Sequence, residues 1–186
     1  HPDVAEAVSG LAAVAHDQGR LERADSLFSR ALAVQRRQPD ARLAHTLAGY
    51  GALARSQHRL GVAARRHREA LALRRTMLGP DSPDVAESLK GLALVEHQRG
   101  AFAPAERLYR EALALQVRLS GETHPEVGSL SNSLASLLRT RGSYAEADRL
   151  FRRALAVQRR LFPDGHRNLV TTLSQRAGLL VERGRP

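Results

Sequence analysis

Cysteine is absent from the 186 residues, which excludes disulfides, thiolate zinc ligands and cysteine nucleophiles. The fold must therefore be stabilised by packing between its apolar side chains, which make up 42% of the chain. The sequence also lacks any apolar run near the roughly 20 residues needed to cross a bilayer, so it contains no transmembrane segment. These absences predict a soluble, folded protein that does not enter the membrane.

A secretion leader is missing as well, because no charged start followed by an apolar stretch and a small-residue cleavage site is present. Since the chain begins with His1 rather than Met, a leader removed beforehand is not excluded. We expect a cytoplasmic protein.

Lysine is nearly absent, since Lys90 is the single lysine among 29 basic residues and the others are arginine. With 19 acidic residues the formal net charge is +10. This charge favours acidic partners through long-range attraction, although charge alone identifies no partner.

The sequence repeats itself at a nearly constant period. The segment "RALAVQRR" occurs at 30–37 and again at 153–160, and "REALAL" occurs at 68–73 and 110–115. These segments share one register, whose anchoring alanines are 39, 42 and 42 residues apart: Ala31, Ala70, Ala112 and Ala154. Further small residues recur seven and nineteen positions before each anchor. Apolar residues between them follow the i, i+3, i+4, i+7 pattern of a helix, so each unit is predicted to be two helices and a tight turn.

Glycine and proline mark the ends of the predicted helices. Gly19, Gly100 and Gly142 lie where a helix must end, whereas Pro83 and Pro125 lie where one can begin without losing a bonded amide. The resulting units form one domain with nine helices: repeats 1–40, 41–82, 83–124 and 125–166, followed by a half repeat or capping helix at 167–186.

The C-terminal end allows two interpretations. The chain stops two residues after a glycine in register with Gly142, which indicates a fragment of a longer protein. Alternatively, Arg176 occupies a position held by leucine or tyrosine in the other units, as expected of a polar terminal cap.

Two adjacent units carry a family resemblance: "PDVAESLKGLALVEHQRGAFAPAERLYREALALQVRLSGETH" and "PEVGSLSNSLASLLRTRGSYAEADRLFRRALAVQRRLFPDGH". They resemble the tetratricopeptide repeat family in its 42-residue, kinesin-light-chain-like form, and the resemblance covers essentially the whole chain. It implies an all-α, right-handed superhelical solenoid of antiparallel helix pairs, about four and a half repeats long, with a concave and a convex wall. A HEAT-like helical array is the competing fold.

Repeat two departs most from the family's pattern. His58 replaces the turn glycine, His67 replaces an aromatic residue, and the preceding linker is three residues shorter. Local helix packing is expected to differ there, although the fold is not.

No catalytic motif is present, because the sequence lacks HExxH, GxSxG and the phosphate-loop pattern. The segment "GYGALA" at 49–54 lies inside a predicted helix and not after a strand, so it does not indicate a dinucleotide site. The eight histidines offer no i, i+4 pair for a metal. We therefore predict no enzyme activity, no cofactor and no metal.

The resemblance implies that a peptide binds in the groove lined by the first helix of each repeat. One groove-facing row is Ser9, Ala48, Lys90, Asn132 and Ser174. A second row is His16, Arg55, His97 and Arg139. A third row contains Glu6, His45 and Glu87, and beside the second row lie Asp17, Ser56 and Gln98.

The second row would form a ladder of cationic groups that could pair with carboxylates or phosphates. Alternatively, these residues are ordinary solvated helix ends, which the helix dipole favours. Lys90 and Asn132 match part of the clamp with which some members of the family hold a terminal carboxylate. Ser9, Ala48 and Ser174 lack the rest of that clamp.

These observations predict a non-catalytic protein-interaction module that binds an acidic or mixed-polarity peptide. An alternative is a scaffold or regulatory segment joined to an enzymatic or ATPase domain. Binding to nucleic acid is disfavoured, because the repeated aromatics Phe28, Tyr109 and Phe151 are predicted to lie in the core and not on a stacking surface.

Overall fold

The computed structural model describes residues 2–37, 39–162 and 167–184. Within these ranges the chain forms nine α-helices and no strand, which confirms the all-α prediction. The helices are α1 (Pro2–Asp17), α2 (Leu21–Gln35), α3 (Ala41–Ser56), α4 (Leu60–Leu78), α5 (Pro83–Gln98), α6 (Phe102–Ser120), α7 (Pro125–Thr140), α8 (Tyr144–Leu161) and α9 (Arg167–Arg183). None of these helices is long and apolar enough to span a bilayer.

The helices pair into hairpins, and the hairpins stack in chain order. The first helices of the repeats, α1, α3, α5, α7 and α9, each contact the next first helix along the stack. Among the described residues, the backbones of the second helices, α2, α4, α6 and α8, do not approach one another in this way. The first helices therefore form the inner wall of a curved solenoid, and the second helices form its outer wall.

Small residues lie where the helices of a hairpin cross and where hairpins stack. The alanines at the two second-helix positions, four of each, are at most 1% exposed: Ala24, Ala63, Ala105, Ala147, Ala31, Ala70, Ala112 and Ala154. Alanine allows two helix backbones to approach closely enough for side-chain ridges to enter grooves. A larger side chain would cost about 1–3 kcal/mol through overpacking.

The helices begin and end where proline and glycine in the sequence predict. Gly19, Gly100 and Gly142 have φ of +72°, +77° and +77° and close the turns between the two helices of a repeat. Pro83 and Pro125 open α5 and α7 as predicted, after the capping residues Ser82 and His124. The His124 cap is unusual, because its Nδ1 accepts a hydrogen bond from the backbone N–H of Glu126 at 3.2 Å.

Repeat two keeps the same hairpin in spite of its unusual residues. His58 adopts φ of +58°, the left-handed conformation that glycine has in the other turns. The backbone N–H of Arg59 then donates to the carbonyl of Ala54 at 2.8 Å, as Arg20 donates to Ala15 at 2.8 Å in repeat one. The expected difference in packing is therefore confined to side chains.

His67 occupies the place of the buried aromatic residues Phe28, Tyr109 and Phe151 and is only 5% exposed. Its ring lies against Gly51 and Gly91, where an added Cβ would come within 2.8 and 2.5 Å of the imidazole. Burial lowers the pKa of His67 from 6.5 to about 4, and the positive charges of Arg55 and Arg74 contribute to the lowering. The histidine is therefore neutral in the folded protein near pH 7.

Replacing His58 with glycine should stabilise the protein. A side chain in the left-handed region costs roughly 1–2 kcal/mol, part of which is offset by the greater freedom of glycine in the unfolded chain. We expect His58→Gly to raise the free energy of unfolding by about 0.5–1 kcal/mol in urea titrations. The reciprocal change, Gly100→His, should lower it, since nothing but backbone conformation restricts that site. Equal stability of both variants and the parent would contradict the assignment of strain to this turn.

His67 should make the protein sensitive to mild acid. The unfolded chain takes up a proton near pH 6.5, whereas the folded chain does so only near pH 4. The contribution of His67 to the free energy of unfolding is therefore complete above pH 6.5 and decreases as the pH is lowered towards 4, by about 3 kcal/mol in total. In urea titrations between pH 7 and pH 4.5, His67→Phe should lose less stability than the parent. His45→Phe, at an exposed position, is the control and should retain the parent's pH dependence.

Candidate functional site

Two equivalent clefts open between successive first helices on the inner wall. The cleft between α5 and α7 has a volume of about 450 Å³, and the cleft between α7 and α9 has a volume of about 330 Å³. The lining residues correspond at an offset of one repeat, so Lys90 is replaced by Asn132 and Gln116 by Gln158. The end of a second helix, α6 or α8, closes each cleft. The clefts are therefore a property of the repeat.

The α5–α7 cleft contains charges of both signs. Lys90 Nζ lies 2.6 Å from a carboxylate oxygen of Glu126, which joins α5 to α7. At the closed end, Gln116 Nε2 donates to Ser120 Oγ at 3.0 Å and lies 3.2 Å from His124 Nδ1. Both the ammonium and the carboxylate remain partly exposed, so a ligand can exchange with either of them.

Arg74 is buried at the edge of the same wall and bonds to residues of α5. Its side chain is 2% exposed, and Nη1 donates to the Asp84 carbonyl and to Ser88 Oγ, both at 2.8 Å. Its Nη2 lies 2.9 Å from Glu87, one of the predicted site residues. Because Arg74 is held by α5 itself, it fixes the Glu87 carboxylate at the rim of the cleft.

The α7–α9 cleft is polar but carries fewer charges. Asn132 Oδ1 and Gln158 Oε1 are both shielded from solvent, and neither accepts a hydrogen bond from the described residues. A buried acceptor without a hydrogen bond lowers the stability of the protein by about 1–3 kcal/mol. A ligand donor that bonds to this acceptor after a rotation of the amide would restore that free energy. His166, the sequence counterpart of His124, lies outside the described residues.

The second predicted row does not form a uniform ladder. His16 Nε2 lies 3.0 Å from Ser56 Oγ, and Arg139 binds the Gln175 carbonyl at 3.3 Å and Glu182 at 3.2 Å. These two residues link consecutive first helices. The His97 ring packs edge-on against Phe102 and Tyr109 at 5.9 and 6.2 Å, and burial lowers its pKa. Of the two arginines in this row, Arg55 makes no ion pair with the described residues.

The remaining predicted residues lie apart from the two clefts. Ser9 is 4% exposed and accepts a hydrogen bond from Thr46 at 2.9 Å. Asp17 and Gln98 are exposed at the ends of α1 and α5. The structure thus brings Lys90 and Glu87 together in one cleft and places Asn132 in the next.

Sequence reasoning missed Gln116 and Gln158, which line the closed ends of the two clefts, and the repeat position to which they belong. Each second helix carries a buried polar residue four positions after its anchoring alanine: Gln35, Arg74, Gln116 and Gln158. A polar residue that recurs at one position of an otherwise apolar helix face indicates a special role for that position, and this pattern is visible in the sequence. It marks the junction where one repeat meets the first helix of the next.

In the part of the chain that the structure describes, no group of three or more histidine, aspartate or glutamate side chains could hold a metal ion. The polar groups of the clefts are instead suited to hydrogen bonding and to ion pairs.

Comparisons with known proteins agree with this architecture. Two family profiles, both described as tetratricopeptide repeat, match residues 3–76 and residues 85–126 and 128–168. The structure of BtubC (BKLC) from P. vanneervenii is similar with a TM-score of 0.84 and 26% identity, over 98% of this chain and 74% of that chain.

A putative kinesin light chain from Podosopora anserina with nearly identical TPR-like repeats has a TM-score of 0.83 and 18% identity, over 99% of this chain and 89% of that chain. A variant of the same fungal protein has the same TM-score and identity and is covered over 88% of its length. No curated protein matches this sequence.

The family profiles together match well over half of the chain, and the similar structures show the same solenoid fold. Repeats of this kind generally act as protein–protein interaction modules. The chain belongs to the tetratricopeptide repeat family.

Proposed function

We propose that this protein is a non-catalytic interaction module that binds a peptide segment of a partner protein along the inner wall of α3, α5, α7 and α9. The observation that carries the proposal is the pair of equivalent clefts between successive first helices. Each cleft presents polar groups at the same place in the repeat. A peptide that follows the wall therefore meets a recognition site once per repeat.

The charges of the wall favour a peptide of mixed polarity. Lys90 and Glu126 form one partly exposed pair, and a ligand carboxylate can bind the first while a ligand cation binds the second. Arg55, on α3, makes no ion pair with the described residues, so it can bind a carboxylate without displacing one. Acidic groups in the peptide are thus expected opposite Arg55 and Lys90.

Asn132 provides the second kind of contact. Its amide has both a donor and an acceptor, which match the C=O and N–H of a peptide backbone. Because Oδ1 has no partner among the described residues, binding satisfies this atom without breaking a bond within the protein. Side-chain charge then determines specificity, and the amide adds affinity that does not depend on sequence.

Arg139 is a poor choice for testing this site, because it holds α9 through Glu182 and the Gln175 carbonyl. Arg55 and Asn132 have no such structural partner in the described residues. A double variant is needed, since one exposed charge contributes only about 0.2–1 kcal/mol.

Peptides selected from a random display library on the immobilised protein provide the test. Arg55→Glu combined with Asn132→Leu should weaken the selected peptides by about tenfold in fluorescence anisotropy, because a charge contact and a backbone hydrogen bond are lost. The control is Arg30→Glu, which makes the same charge change on the outer wall. Circular dichroism should show unchanged helicity in both variants. Peptides that bind the double variant as tightly as the parent would reject the inner wall as their site.

A further inference from the structure

The positive charge of this protein is concentrated on its outer wall. Among the described residues, every carboxylate except Asp17 and Glu22 forms an ion pair. The arginines that form none lie mostly on the second helices or at their ends: Arg20, Arg23, Arg30, Arg37, Arg65, Arg107, Arg149, Arg159 and Arg160. Most of the unpaired positive charge of the described residues therefore lies on the outer wall and not on the inner wall.

Three of these arginines occupy one position of the repeat. Arg65, Arg107 and Arg149 each lie five residues before an anchoring alanine, and all three are exposed. The arginines three positions later behave differently: Arg110, for example, lies 2.9 Å from Glu106 and 2.8 Å from Glu146. Arg65, Arg107 and Arg149 are thus available to a ligand, whereas the arginines three positions later already form ion pairs within the protein.

The available arginines line grooves between successive second helices. Arg149 lines a groove of about 620 Å³ between α6 and α8, whose floor contains Leu113, Val117 and Leu150. One repeat earlier, Arg107 lines a groove of about 350 Å³ with Leu108 in its floor. An apolar floor beside an unpaired arginine therefore recurs with the period of the repeat.

Glu146 is the carboxylate that lines the larger groove, and it forms its ion pair with Arg110 and not with Arg149. Arg110 donates to both oxygens of Glu146 at 2.8 and 3.1 Å and lowers the pKa of that carboxyl, with a smaller contribution from the charge of Arg149. Arg153 is likewise paired with Glu122 at 2.5 Å. The groove therefore presents Arg149 as an unpaired cation beside an apolar surface.

We propose that the outer wall is a second docking surface, which binds an acidic amphipathic segment of a partner protein. Its carboxylates bind Arg107 and Arg149, and its apolar side chains enter the grooves between α4 and α6 and between α6 and α8. Charge complementarity and the apolar floor both select this occupant. A nucleic acid would use the arginines but leave the apolar floor uncovered, and the proposal does not depend on the inner-wall site.

The probe is a fluorescein-labelled peptide of glutamate and leucine, with leucine at the i, i+3, i+4 spacing of one helix face. Two comparison peptides replace all glutamates with lysine, or all leucines with serine. In anisotropy titrations at about 0.15 M salt, where distant charges are screened, both comparison peptides should bind at least about tenfold more weakly than the probe. If the serine peptide binds as tightly as the probe, the apolar floor takes no part and the proposal fails.

Protein variants locate the binding surface. Arg107→Glu with Arg149→Glu should weaken the probe by about tenfold, because two attractive contacts become repulsive. The matched control is Arg159→Glu with Arg160→Glu, which changes the net charge equally at arginines that also form no ion pair but lie outside both grooves. The control should weaken the probe by less than about twofold. If circular dichroism shows lost helicity in the glutamate variant, the glutamine pair is used, with an expected loss of about threefold.

Two results would overturn the proposal. Equal losses in the groove variant and in the control would show general attraction to a basic protein and no docking surface. Duplex DNA that displaces the probe and binds more tightly, with the same dependence on Arg107 and Arg149, would assign the surface to nucleic acid instead.

Discussion

Close approach of helix backbones at alanine-sized positions is the constraint on which the rest of this structure depends. The anchoring alanines and their partners seven residues earlier are almost completely buried in all four repeats. Where the first-helix position is glycine, as at Gly51, the space is filled by His67 from the facing helix. Small residues thus permit the same close approach in each repeat, and the clefts and grooves recur with the repeat.

The stacking of the repeats also determines which charges meet. Arg75 and Glu111, Arg110 and Glu146, and Lys90 and Glu126 are all separated by 36 residues, whereas Arg36 and Glu69 in the shorter first unit are separated by 33. Each separation is six less than the local repeat length. In these four pairs a residue therefore meets the one that lies six positions before its own counterpart in the next repeat, because neighbouring repeats are staggered.

This stagger explains how much could be predicted from the sequence. Periodicity, glycines and prolines act within one helix or one turn, so the helices of the described residues and their ends could be predicted from the sequence. Whether Lys90 is free or paired depends on Glu126 in the next repeat, and whether His97 faces the groove depends on a ring contact with Phe102 and Tyr109. Such contacts depend on the stagger between repeats and on side-chain rotamers. Neither can be predicted from the sequence pattern within one repeat.

The two walls differ because the two kinds of helix meet their neighbours differently. First helices contact each other directly, so polar residues between them, such as Lys90 and Arg139, are drawn into bonds that link the repeats. Second helices are held further apart by the curvature. Ion pairs between them therefore depend on the long side chain of arginine, as in Arg75–Glu111 at 2.5 Å. For Arg107 the residue at the 36-residue separation is Ser143, and Arg107 forms no ion pair with the described residues. The same curvature that closes the inner wall thus leaves open grooves and available charge on the outer wall.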